Sequence, residues 1–171
     1  MRVLILTAAA IIAAAVPAAA DEPLRTPQPD RLYLGRIAYE HWQPIVIKTS
    51  EDARRVKVAA SYFNRLSRCG ARGGDIFDSE IVSRRWLRVR SNRTFAGRGD
   101  GWDWLDPDQG WRGVYRWTIT GRFTSPRRAA GRITITGAMH VNGRPWLRCP
   151  PMTKRWETRR TERATGNLRD F

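Results

Sequence analysis

The chain has 171 residues and a formal net charge of +15, from 31 basic against 16 acidic residues. That length suits one well-cored domain and is too thin for two. The charge excludes indifference to anionic polymers and surfaces, and two cysteines and two histidines, with no Cys-x-x-Cys spacing, leave little material for a metal centre.

Arg2, the apolar run from Val3 to Val16, Pro17 and Ala18-Ala19-Ala20 before Asp21 follow the order of a secretory signal peptide. The run is shorter than the ~20 residues that span a bilayer, and Pro17 would break a helix that continued. We therefore expect residues 1–20 to be a signal peptide and the protein to be exported, periplasmic or extracellular, with no transmembrane segment in the mature chain. Loss of Arg2 takes the charge from +15 to +14. Nearly all the basic residues are Arg, whose planar fork pairs with carboxylate and phosphate in a way Lys does not; the lysines are Lys48, Lys57 and Lys154.

Pro23, Pro27 and Pro29 mark residues 21–31 as an extended leader, and the domain is expected over 32–161 with a polar tail at 162–171. Ile45 and Ile47 alternate with Val46 and Lys48, and Val56, Val58, Ala60 and Tyr62 alternate with their neighbours across a polar turn from Thr49 to Arg55. Further on, Tyr115, Trp117, Ile119 and Phe123 share one strand face opposite Arg116, Thr118, Thr120 and Arg122. After a turn at Ser125 to Ala130, Ile133, Ile135, Met139 and Val141 repeat the scheme against Arg132, Thr134, Thr136 and His140. Gly121 and Gly137 interrupt these inward rows, marking a bulge, a bend or room for bulky neighbours. A last strand is expected at Thr153 to Arg159, with Trp117 and Trp156 as core. Short alternating runs cut by Gly, Pro, Asn and Asp are the signature of an antiparallel β-sandwich or barrel, and of these we expect an all-β fold made of a single antiparallel β-sandwich, jelly-roll-like or related. In an oxidising compartment Cys69 and Cys149 read as one disulfide, worth about 4 kcal/mol as an upper figure.

Gly35, Pro44-Ile45, Cys69, Arg93-Thr94-Phe95-Ala96-Gly97, Ile119-Thr120-Gly121-Arg122-Phe123-Thr124, Ala130-Gly131-Arg132-Ile133, Cys149 and Trp156-Glu157-Thr158-Arg159-Arg160 follow in an order that resembles a group of small secreted bacterial β-sandwich proteins of unassigned function. The resemblance covers about Leu32 to Thr161 and implies the sandwich with a Gly-x-Phe strand, an Ala-x-Gly turn and a late Cys before a Trp. It implies no catalytic residues. The chain departs from the group's glycine-containing stretch after the late cysteine, having Cys149-Pro150-Pro151.

One segment stands out chemically. From Gly99 to Trp111, Trp102, Trp104 and Trp111 lie beside Asp100, Asp103, Asp106 and Asp108. Tryptophans stack on sugar or base faces and carboxylates accept hydroxyls, so the segment reads as a ligand-binding loop, with a hairpin loop folded back onto the domain as the other reading. Its spacing is not that of an EF-hand. Arg84, Arg85, Arg88 and Arg90 interleave with Trp86, Leu87 and Val89, and with Arg116, Arg122, Arg132 and Arg159 they form either a polyanion-binding face or a solvated guard on strand edges. His41 and His140 stand apart, and no Gly-x-Ser-x-Gly, His-Glu-x-x-His or phosphate loop occurs. These features predict an exported, cationic, non-catalytic binding protein without cofactor or metal. Its binding candidates are Trp102, Trp104, Trp111, Asp103, Asp106, Arg88, Arg90, Arg116 and Arg132. Its partner would be an anionic polysaccharide, a lipid headgroup or an acidic protein, without specific nucleic-acid recognition. The other readings are a small hydrolase using carboxylates such as Glu40 with Asp103, and an inhibitor of an extracellular enzyme that inserts the Trp-rich segment.

Overall fold

The computed structural model describes residues 27–37, 43–65 and 76–161. The expected signal peptide, most of the leader, the polar tail, Glu40, His41 and Cys69 lie outside the described residues. Ten strands follow in chain order: β1 (Leu32–Ile37), β2 (Pro44–Thr49), β3 (Arg55–Arg65), β4 (Ile76–Val82), β5 (Leu87–Arg88), β6 (Thr94–Asp106), β7 (Trp111–Ser125), β8 (Arg128–Val141), β9 (Arg144–Arg148) and β10 (Met152–Arg160). All pair antiparallel within one sheet, in the order β4-β3-β2-β1-β10-β8-β7-β6, with β5 beside β3 and β9 beside β8.

Four of these elements form two interrupted strands. β4 and β5 lie along the same edge of β3, opposite Ala59–Arg65 and Arg55–Val56 respectively. Ser83, between them, keeps the ladder going: its N–H donates to Val58 O and its hydroxyl accepts from Val58 N–H, each at 2.8 Å. β9 and β10 likewise share one edge of β8, divided at Pro150-Pro151, which have no N–H to give to a ladder. The sheet is therefore a meander curled into a nearly closed barrel. β1 pairs with β10 to join the two halves of the chain, and a seam lies between β4 and β6.

This corrects the expected sandwich. Period-2 alternation shows only that one face of each strand is buried, and a sandwich and a barrel share that pattern. What separates them is the pairing of first strand with last, which gives one continuous wall around a single core. Cys69, and with it the expected Cys69–Cys149 disulfide, lies outside the described residues; the two halves of the wall are joined by the backbone pairing of β1 with β10.

The core explains two of the glycines. Along one inward row Phe95, Gly121, Gly131 and Trp156 sit side by side on β6, β7, β8 and β10. The Phe95 and Trp156 rings meet above the paired glycines, their centroids 6.0 Å apart. A Cβ on either Gly121 or Gly131 would fall 2.6 Å from Trp156 Cζ2, too close for any real contact. Phe123 adds to the same cluster, 5.8 Å from Phe95 and edge-on to Tyr33 at 5.2 Å. Burial pushes the Tyr33 phenol pKa up, and its hydroxyl accepts from Gln28 N–H and donates to Pro126 O.

The seam is stitched by a side chain. Tyr115 on β7 reaches over Gly101 of β6, where a Cβ would meet its ring, and donates its hydroxyl to Glu80 O of β4 at 2.6 Å. Tyr115→Phe is expected to lower stability by about 1 to 2 kcal/mol, the cost of losing one bond to a buried group. Amide exchange should speed up in β4 and little elsewhere. Uniform loss of protection across all strands would show that the seam is not a separate opening unit.

Candidate functional site

Polarity runs apolar inside and charged outside, the reverse of strands that face lipid. Among the described residues no helix is long and apolar enough to cross a membrane. The outer surface therefore carries the chemistry. An open groove of about 830 Å³ lies across the outside of β6, β7, β8 and β9.

Register builds this groove. Outward positions on β6 are Asp100 and Trp102; on β7 they are Arg112, Val114 and Arg116; on β8 they are Thr136, Ala138 and His140; and β9 adds Pro145 and Arg148. Trp102 and Trp104 are 51% and 48% exposed and meet edge to face with centroids 5.9 Å apart. The Arg112 guanidinium carbon lies 4.0 Å from the centre of the Trp102 ring, a close cation–π stack. Its Nε is buried without a hydrogen-bond partner, so stacking holds this guanidinium in place where hydrogen bonding does not.

The Trp-rich segment is thus not a long loop. β6 runs through it to Asp106, and only residues 107–110 form the turn, closed by Gly110 N–H to Pro107 O. Trp111 diverges from the other two: it is partly buried against the core with its ring 5.9 Å from that of Trp146. Asp103 is exposed, in register with Gly113 on the face opposite Trp102. Asp106 serves the turn, its Oδ1 accepting from Gln109 N–H.

The chain has no match among known protein families, curated proteins or solved structures.

Of the arginines singled out from sequence, Arg116 lines the groove and Arg88 lines a second depression at the seam. Arg132 points outward on β8, opposite Thr120 and Arg155, two outward positions beyond Thr136 and outside the groove. Arg90 sits at the β5–β6 turn, where its N–H donates to Thr94 O and its carbonyl accepts from Arg93 N–H. Sequence reasoning missed Arg112 and Arg148. Arg112 continues the Arg116 face two outward positions toward the N-terminus, and Asn142-Gly143, both at positive φ, is a hairpin turn that places β9 beside β8. Among the described residues no group of three or more His, Cys, Asp or Glu is placed to hold a metal ion.

Proposed function

We propose that this chain is a non-catalytic binding protein whose outer groove takes an anionic ligand, and that it works outside the cytoplasm. The observation that carries the reading is Arg112, stacked on Trp102 with its Nε unpartnered and flanked in the groove by Arg116 and Arg148. A stacked guanidinium loses little freedom when it meets a carboxylate or phosphate, so the attraction is gained at small entropic cost. Half-exposed tryptophan beside it offers a stacking surface to a ring. The mature charge of +14 expected from the sequence adds long-range attraction.

The test is binding to immobilised polyuronate over a salt series, with polyglutamate as a non-saccharide polyanion. Affinity should fall steeply as salt rises. Arg112→Ala and Arg116→Glu should each weaken it by about 10-fold or more, a charge-assisted contact being worth about 1.5 to 3 kcal/mol. Affinity that is flat with salt, or unchanged in both variants, would sink this reading.

A further inference from the structure

The groove does not end at β6. Asp100 lines it on one side and also lines the seam depression on the other, where Trp86, Arg88 and Arg98 are found. Trp86 is 38% exposed and carries two cations of its own: Arg55 lies 6.0 Å and Lys57 5.9 Å from its ring centre. Two tryptophan–cation assemblies therefore stand on either side of the seam, joined by one polar residue. Arg98, exposed on the outward face of β6 beside Thr118, lines the seam depression with Trp86 and Asp100.

We infer that the ligand is a linear acidic polysaccharide, a chain of uronate sugars, lying along this continuous track from Arg148 and Trp102 across Asp100 to Trp86. The inference rests on the binding reading above and names its substrate class.

Three observations favour such a chain over other polyanions. The track crosses β9 with β8, then β7, β6 and β5, roughly 20 Å at the usual strand spacing. That path covers about half of the wall, so a flat lipid surface touching one end would stand away from the other. Its aromatic residues alternate with cations, which suits a polymer that presents a ring and a carboxylate in each unit. Asp100, in the middle, can only accept hydrogen bonds when ionised, and so is matched by the hydroxyls that a uronate carries beside its carboxylate and that a DNA phosphodiester backbone lacks.

The test uses oligogalacturonates from dimer to decamer, with anionic phospholipid vesicles and a single-stranded oligonucleotide as competitors. Affinity should climb with length. Trp86→Ala and Arg98→Glu, both at exposed positions, should weaken decamer binding about 10-fold and leave dimer binding unchanged, whereas Trp102→Ala should weaken both; melting confirms that each variant folds. If dimers bind and respond to Trp102 but length adds nothing, or decamers ignore Trp86 and Arg98, the track is overturned while the groove remains a binding site. Stronger, Trp86-dependent binding of vesicles or oligonucleotide overturns the saccharide assignment. If no uronate of any length binds, the saccharide assignment falls; if vesicles and oligonucleotide fail to bind as well, or Trp102→Ala changes nothing, the binding reading itself falls.

Discussion

Trp156→Ala is expected to remove about 3 to 5 kcal/mol of stability, the usual cost of deleting a large buried aromatic from a packed core. Trp156 is fully buried, its ring fills the space above Gly121 and Gly131, and Phe95 leans on it from β6. Four strands therefore lose a common contact at once. Trp156→Phe should cost far less, because the indole Nε1 is buried without a hydrogen-bond partner and its removal loses no bond. Chemical denaturation of the two variants measures the difference. Equal losses would mean that the indole nitrogen contributes as much as the ring, and the packing account of this row would have to be abandoned.

The second large effect separates the tryptophans by role. Trp102→Ala should weaken ligand binding by about 1 to 3 kcal/mol, the range for a ring stacked on an aromatic side chain. Its stability cost should stay near 1 kcal/mol, since only a cation–π stack and an edge contact are lost. Trp117→Ala, which empties a buried inward position on β7, should behave in the opposite way: a loss of about 3 to 5 kcal/mol in stability, with binding unchanged once the protein is folded. Paired melting and titration curves check both. A Trp102→Ala protein that melts as low as Trp117→Ala would show the outer tryptophan to be part of the scaffold.

The strands that were legible in the sequence are those with a filled inward row. Ile45 with Ile47, Val56 with Val58, and Tyr115 through Phe123 are found on the strands their alternation predicts, inward and buried. β6 was hidden for a physical reason. Its inward positions after Phe95 are Gly97, Gly99 and Gly101, emptied to admit the side chains of Leu87, Trp117 and Tyr115, so the apolar half of the period-2 signal is missing. The segment consequently read as a loop, and Trp102 and Trp104 as loop residues. The sandwich failed differently. Alternation is local, whereas the β1–β10 pairing that makes a barrel joins residues more than a hundred positions apart. The site was half legible: Trp102, Trp104 and Arg116 stood out by type, while Arg112 and Arg148 enter the groove through register, which depends on where β6 and β9 run.

The pairing of first strand with last also orders assembly in time. Most strand contacts join neighbours in the chain through short turns, such as the β7–β8 turn at Pro126-Arg127 and the β8–β9 turn at Asn142-Gly143. Closing β1 onto β10 encloses more than a hundred residues, and on loop-closure scaling that costs about 3 kcal/mol more than a four-residue turn. Hairpins should therefore form early and the ring should shut late. Before β1 joins β10, the chain is two sheets, β4-β3-β2-β1 and β10-β8-β7-β6, in which β1 and β10 are raw edges, each able to recruit a second copy. Arg36 on the first, with Arg155 and Arg159 on the last, are exposed in the finished barrel. Like charges on those edges repel another molecule during the interval when neither edge yet has its partner.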